Sequence, residues 1–260
     1  MRRFIINCLF LLLFSIAGVL LGCSQVEIDI EELEETSSIR VIAHRGYWKE
    51  GGSQNSLDSI RGAAQLGVDG IEFDVRVTQD DSVIVVHDAS VEGLTIAQTT
   101  FSRLRELRLS NGEQIPTLYE FLKVASEYPN LELFIELKTT SSISKILAIV
   151  ESAQLQNHVV YISFLESALK AVLDRQPIAE LGYIRQTGQG NWDIKELQSH
   201  YSYIVYQLDI LTNNPQLVEE AKKEGICIVP FMIDDYNSYN IAMGISAEYV
   251  ISNRPDLLIL

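Results

Sequence analysis

Beyond Ser38 the chain alternates short apolar runs with longer amphipathic stretches almost to its end. Runs rich in branched and aromatic residues at 40–44, 70–78, 131–139, 159–163, 179–185, 203–209, 226–233 and 249–252 predict strands. Helical spacing of apolar residues at 55–66, 118–127, 143–154, 166–175, 194–199, 214–224 and 236–243 predicts helices between most of them. Gly67 and Gly225 stand where two of these helices must stop, and Asn214-Pro215 supplies a cap followed by proline at a first helical position. Strands joined through helices run parallel, because a parallel pair needs a crossover. Eight such strands in one segment fit a closed (β/α)8 TIM barrel better than an open sheet. No Gly/Ser/Pro-rich linker divides residues 39–260, which are therefore read as a single α/β domain.

One connection breaks the alternation. Gln79-Asp80-Asp81-Ser82 and the run 83–86 follow the second strand with no helix between, so a β-hairpin extension is expected there. A two-residue turn centred on Asp80-Asp81 pairs residues whose numbers sum to 161 and sets Asp74 opposite His87.

The first residues have a different pattern. Arg2 and Arg3 precede an apolar run over 4–21, and Leu20-Leu21-Gly22-Cys23 resembles the bacterial lipobox, in which cleavage precedes a cysteine that then carries lipid. The expectation is a lipoprotein signal over 1–22 and lipidation of Cys23; an ordinary signal peptide or one anchor helix is the alternative. Residues 23–38 carry Glu27, Asp29, Glu31, Glu32, Glu34 and Glu35 and read as an acidic tether, with a sorting signal as the alternative. The protein is thus expected on the exported side of a membrane, held there by its N-terminal lipid. Cys8 and Cys23 fall outside the domain and leave it Cys227 alone, so no disulfide within it is expected. The formal charge of −15 becomes −17 without residues 1–22, which hold two arginines and no acid. That balance excludes non-specific nucleic-acid binding, which needs basic patches. No protein partner is indicated.

The chemistry lies at the ends of the predicted strands. Side chains alternate along a strand, so Glu72 and Asp74 share one face while Phe73 and Val75 share the other. Two acids on the inward face of an apolar strand need a cation. Phe134, Glu136 and Lys138 share the inward face of the third strand, and His44-Arg45-Gly46 ends the first. Glu72, Asp74 and Glu136 offer only hard oxygen ligands, which suit Ca²⁺ or Mg²⁺ rather than zinc. Arg45 and Lys138 can hold phosphate oxygens. His44 and His87 are left to exchange protons, one as base and one as acid. Together these groups are what phosphodiester cleavage requires.

These residues resemble the glycerophosphodiester phosphodiesterase family. Its signature segments are matched in order by Ala43-His44-Arg45-Gly46, Ile71-Glu72-Phe73-Asp74-Val75, Thr78-Gln79-Asp80, Val86-His87-Asp88 and Glu136-Leu137-Lys138. Ile115-Pro116-Thr117-Leu118 and Ile251-Ser252-Asn253-Arg254-Pro255 look like its later landmarks. The resemblance implies a (β/α)8 barrel, one divalent cation and hydrolysis of glycerophosphodiesters to glycerol 3-phosphate and an alcohol by two histidines. Asn55 and Asp88 fall in the matched segments and are expected to support the metal site and the histidines. The chain departs from the family where Ser53-Gln54-Asn55-Ser56 replaces Pro-Glu-Asn-Thr, which removes a charge expected near the metal. It departs again at Phe231, where tryptophan is common on the wall that meets substrate. Between His87 and Glu136 there is no room for a large inserted subdomain. Two rivals remain: a related barrel enzyme acting on lipid or sugar phosphodiesters, and a non-catalytic lipoprotein that captures phosphate esters. Gly188-Gln189-Gly190 lacks the third glycine of a dinucleotide loop, and nothing supports an acyl-enzyme at Ser142-Ile143-Ser144-Lys145.

Overall fold

A computed structural model describes residues 39–188 and 200–259. Eight strands form the closed parallel barrel: β1 (Arg40–His44), β2 (Gly70–Val77), β6 (Glu132–Leu137), β7 (Val159–Ser163), β8 (Glu180–Arg185), β9 (Tyr203–Gln207), β10 (Cys227–Phe231) and β11 (Tyr249–Ser252). Closure comes from β1, which pairs in parallel with both β2 and β11. The helices that carry the chain back are α1 (Leu57–Leu66), α3 (Leu118–Ala125), α4 (Ile143–Ser152), α5 (Glu166–Leu173), α6 (Leu208–Asn213), α7 (Pro215–Lys223) and α8 (Tyr236–Gly244), with the single-turn α2 (Phe101–Leu104) before α3. The helix expected at 194–199 lies outside the described residues. Among the described residues no helix is long and apolar enough to cross a membrane.

Strand alternation divides the core in two. Residues such as Phe73, Val75, Leu133, Ile135 and Tyr161 face outward and pack under the helices. Their neighbours Ile42, Phe134, Val160, Ile184 and Val229 face inward and fill the barrel's middle. Phe134 is fully buried there, edge-on to Tyr203 and Tyr249. The interior is therefore a packed plug, and polar chemistry is confined to the barrel's ends.

Local signals place the elements. Ser56 caps α1 by accepting from the Ser59 amide, and Gly67 ends it in the left-handed conformation. Thr117 and Glu120 form a reciprocal capping box at α3. The strand expected through residue 209 stops at Gln207, where the chain turns directly into α6.

The hairpin forms between β2 and β3 (Val83–Val85), but one residue out of the expected register. Val75 pairs with Val85, Arg76 with Ile84 and Val77 with Val83, so paired numbers sum to 160. The cause is the turn. The Asp81 amide bonds the Thr78 carbonyl at 3.1 Å and Asp81 is left-handed (φ 62°), giving a three-residue loop in place of the expected two. Asp74 therefore does not face His87 across the ladder; its carbonyl accepts from the Val86 amide at 3.0 Å, and His87 lies just past the pairing.

Between β3 and α3 the chain builds a small insert that the hydrophobic pattern does not reveal. Two-residue strands β4 (Ser90–Val91) and β5 (Leu94–Thr95) pair, and Ile84, Val86, Ile96, Leu104 and Ile115 form a separate cluster beneath them.

Candidate active site

The strand register sets the site directly. His44 is level with Glu72, Glu72 with Phe134, and Asp74 with Glu136. All three acids point into the carboxyl end of the barrel and are almost fully buried, Asp74 completely. One oxygen from each lies within 4.8 Å of the others.

The loop after β1 is bent to serve them. Arg45 takes a left-handed conformation (φ 58°), which turns its amide onto Glu72 Oε2 at 3.1 Å. Gly46 follows at φ 74°, so close to Ser59 that a Cβ there would overlap its side chain. Asn55, also left-handed at φ 58°, is tied to Arg45 through its own amide. Its side chain then donates to Asp74 Oδ2 at 2.8 Å and accepts from the Asp74 amide at 3.2 Å. Two bulky-to-medium residues held at positive φ cost about 1–3 kcal/mol each, a strain commonly stored at functional sites.

The charges are unevenly matched. Lys138 Nζ lies 2.6 Å from Glu136 Oε1 and 3.1 Å from Asp74 Oδ1, and Arg45 Nε lies 3.4 Å from Asp74 Oδ2. Two cations thus make close contact with the three acids, and Arg76 adds a more distant positive charge to Asp74 and Glu136. Glu72 Oε1 is buried and has no hydrogen-bond partner among the described residues. Lys138 is thus shared between two carboxylates and meets Glu136 at hydrogen-bond distance.

Burial, then the neighbouring Asp74 and Glu136 charges, pushes the Glu72 carboxyl well above its usual range. Burial and Asp74 likewise raise Glu136 to about 7. Burial opposes charge on Asp74 too, but Lys138, Arg45 and Asn55 hold it below the ordinary value. Lys138 is raised by Asp74 and Glu136 in spite of its burial. A buried carboxylate oxygen without a donor, in a cluster of hard oxygen ligands kept partly protonated, fits a divalent cation.

The histidines flank this cluster. His44 is buried, with Nε2 3.7 Å from Glu72 Oε2 and Nδ1 2.7 Å from Asn253 Oδ1. Burial, reinforced by Arg45, lowers it to about 4, so it is neutral at pH 7. His87 is half-buried and pairs through Nδ1 with Asp88 Oδ1 at 2.8 Å. Burial lowers it as well, while Asp74 and Asp88 act in the opposite direction. Its backbone is held by Arg76, whose Nε donates to the His87 carbonyl at 2.7 Å.

Both histidines, Arg45, Glu72, Glu136 and Lys138 line one pocket. Its other side is apolar, from Ile162, Phe164, Ile184, Val205 and Ile251 to Phe231 at the end of β10. The structure thus brings together His44, His87, Glu72, Asp74, Glu136, Arg45, Lys138, Asn55, Asp88 and Phe231. Cys23 lies outside the described residues. Gln54 Oε1 accepts from Arg45 Nη1 at 2.6 Å, so the uncharged side chain steadies the arginine that reaches Asp74. Sequence reasoning missed Arg76, Asn253 and Asp234. Asn253 lay within a recognised landmark, whereas nothing in the pattern marked the other two.

Comparison with known proteins agrees with this geometry. A glycerophosphodiester phosphodiesterase of Caldanaerobacter subterraneus subsp. tengcongensis is 27% identical over 237 residues, spanning 84% of this chain and 96% of that protein. A crystal structure of a glycerophosphodiester phosphodiesterase from Parabacteroides distasonis superposes with a TM-score of 0.78 at 31% identity, covering 85% of this chain and 94% of the other. An Oleispira antarctica phosphodiesterase, solved with the product sn-glycerol-3-phosphate, superposes with a TM-score of 0.71 at 25% identity over 83% of this chain and 93% of its own. The glycerophosphoryl diester phosphodiesterase family matches residues 44–257, from the first site histidine to the final turn, and the chain belongs to that family.

Proposed function

We propose that this phosphoric diester hydrolase cleaves glycerophosphodiesters to glycerol 3-phosphate and an alcohol in a metal-dependent reaction, with His44 and His87 as base and acid. The observation that carries the reading is the buried Glu72–Asp74–Glu136 cluster, whose oxygens lie within 4.8 Å of one another between two histidines. Glu72, Asp74 and Glu136 would hold one Ca²⁺ or Mg²⁺, which when bound supplies Lewis-acid stabilisation of charge on phosphate.

The chain's own residues perform the rest. Arg45 and Lys138 hold non-bridging phosphate oxygens and stabilise the charge added in the pentacoordinate state. One histidine removes the proton from an oxygen nucleophile, either water or the glycerol hydroxyl neighbouring the phosphate. A bond forms from that oxygen to phosphorus and the bond to the leaving oxygen breaks. The other histidine supplies the proton that the departing alkoxide takes up. Where the glycerol hydroxyl attacks, the first product is a cyclic phosphate, and the histidines then exchange roles: the deprotonated one takes a proton from water as its oxygen bonds to phosphorus, and the protonated one gives its proton to the glycerol oxygen that leaves.

Release of glycerol 3-phosphate from glycerophosphocholine, measured with and without chelator, tests the reading. Activity is expected to vanish in chelator and return with added Ca²⁺ or Mg²⁺. Turnover that ignores chelator, or equal turnover of diesters lacking glycerol, overturns it.

The sequence of residues 1–38 further supports export and anchoring through a lipidated Cys23. Incorporation of labelled fatty acid into the full-length protein, lost in Cys23→Ala, is the expected result. Equal labelling of the two proteins would refute the anchor.

A further inference from the structure

His44 is held from behind by two residues that take no part in the pocket. Asn253, directly after β11, meets His44 Nδ1 with its Oδ1 at 2.7 Å. Asp234, in the loop between β10 and α8, binds Asn253 twice: Oδ1 accepts from the Asn253 amide at 2.7 Å and Oδ2 from its side-chain Nδ2 at 2.9 Å. Ser252 Oγ adds a bond to Asp234 Oδ1 at 3.2 Å, and the Ile233 amide donates to the Ile251 carbonyl at 3.1 Å, so the two loops are clamped together.

The direction of each bond follows by elimination. A carboxylate only accepts hydrogen bonds, so the Asn253 side chain must turn its NH₂ toward Asp234. Met232 Sδ, 3.2 Å from the same nitrogen, is also an acceptor and favours the same orientation. The Asn253 carbonyl oxygen is then the atom left facing His44, and it too can only accept. His44 must therefore carry a proton on Nδ1, so that Nε2, on the side of Glu72 and the pocket, is the nitrogen that gains or loses the second one.

We propose that Asp234, acting through Asn253, is a positioning residue that locks His44 in its Nδ1–H tautomer and so presents Nε2 as a proton acceptor. The inference rests on the phosphodiesterase reading and assigns the roles that reading leaves open. His44 Nε2 takes the nucleophile's proton, and the resulting imidazolium keeps its Nδ1–H bond to Asn253. His87 is the other partner. Its Nδ1 is paired directly with a carboxylate, Asp88, which favours a second proton on Nε2 against the burial that lowers the ring. One histidine is backed by a neutral amide and the other by an acid, and the asymmetry matches a base and an acid.

Asp234→Asn provides the test. Asparagine at 234 keeps an acceptor for the Asn253 amide but turns an NH₂ toward the Asn253 side chain. Asn253 then reverses, offers its own NH₂ to His44, and the imidazole proton moves to Nε2. Long-range proton–nitrogen correlation spectra of histidine-labelled full-length protein read the tautomer, with the His44 signals identified by their loss in His44→Gln. Wild type is expected to show Nδ1–H at His44 and the Asp234→Asn protein Nε2–H. In parallel kcat falls about 10- to 100-fold with KM changed less than about threefold, the range for residues acting through an oriented histidine. The swap Asp234→Asn with Asn253→Asp restores an acceptor facing Nδ1, and is expected to recover the wild-type tautomer and at least about tenfold of the lost kcat. Nε2–H in wild type, an Asp234→Asn kcat within about twofold of wild type, or a swap no better than the single variant overturns the proposal. If Asp234→Asn does not fold, the wild-type tautomer and the swap still decide. A wild type without metal-dependent turnover sinks the phosphodiesterase reading instead, and the tautomer can be read regardless of turnover.

Discussion

Strand β6 carries two inward-facing glutamates, Glu132 at its start and Glu136 near its end, with Phe134 between them. They have the same side chain on the same face of one strand, yet their surroundings are opposite. Glu132 is fully answered. Arg40 Nη1 lies 2.5 Å from one of its oxygens, the Tyr249 hydroxyl donates to the other at 2.7 Å, and the guanidinium stacks 3.8 Å above the Tyr249 ring. Glu136 shares Lys138 with Asp74, in a cluster where Glu72 keeps an oxygen with no donor. An acid that serves the fold is neutralised by the fold. An acid that serves a ligand is left short, and the shortage costs stability.

Glu136→Gln should break the comparison most sharply. Catalysis is expected to fall by about 100-fold or more, since a charged oxygen donor is lost beside the reacting phosphate. In chelator the same variant should be more stable than wild type, on the order of 1–3 kcal/mol by thermal or urea unfolding, because three acids become two for two close cations. Lower stability in chelator would show that Glu136 holds the barrel together.

Glu132→Gln should give the reverse. Turnover is expected to stay within about twofold, while stability drops by up to about 1 kcal/mol as Arg40's partner loses its charge. A large loss of turnover would erase the distinction between the two ends.

The third prediction concerns pH. Folded Glu136 keeps its proton up to about 7, whereas the unfolded chain releases it near 4.5. Between those values the unfolded state binds fewer protons, so stability falls as pH rises and the penalty is complete above the folded value. Melting temperature in chelator should therefore decline from pH 5 to pH 7.5, and saturating Ca²⁺ or Mg²⁺ should flatten the decline. A decline of the same size with and without the ion would mean that the acids are not its ligands.

Legibility in the sequence followed the range of the forces involved. Strands 40–44, 159–163 and 249–252 were readable to the residue because each is a short apolar run with turn residues beside it. The acids and Lys138 were readable because alternation alone sends them to the inward face. The hairpin register was not, since it depends on whether Asp81 adopts a left-handed backbone, and aspartate does so only in some turns. The insert around 90–95 was missed because its two-residue strands are too short to show a period. Asn253 and Asp234 escaped for another reason: Asn253 meets His44 across 209 residues of chain, and only barrel closure creates the contact.

That closure also comes late in synthesis. The first strand emerges early, but one of its edges stays open until Tyr249–Ser252 arrives to pair with it. The same final stretch delivers the group that steadies the first histidine. A chain interrupted anywhere before residue 253 lacks both the full seal of the cylinder and the side chain that meets His44 Nδ1. The longest-range contacts of the fold are thus the last that synthesis can supply.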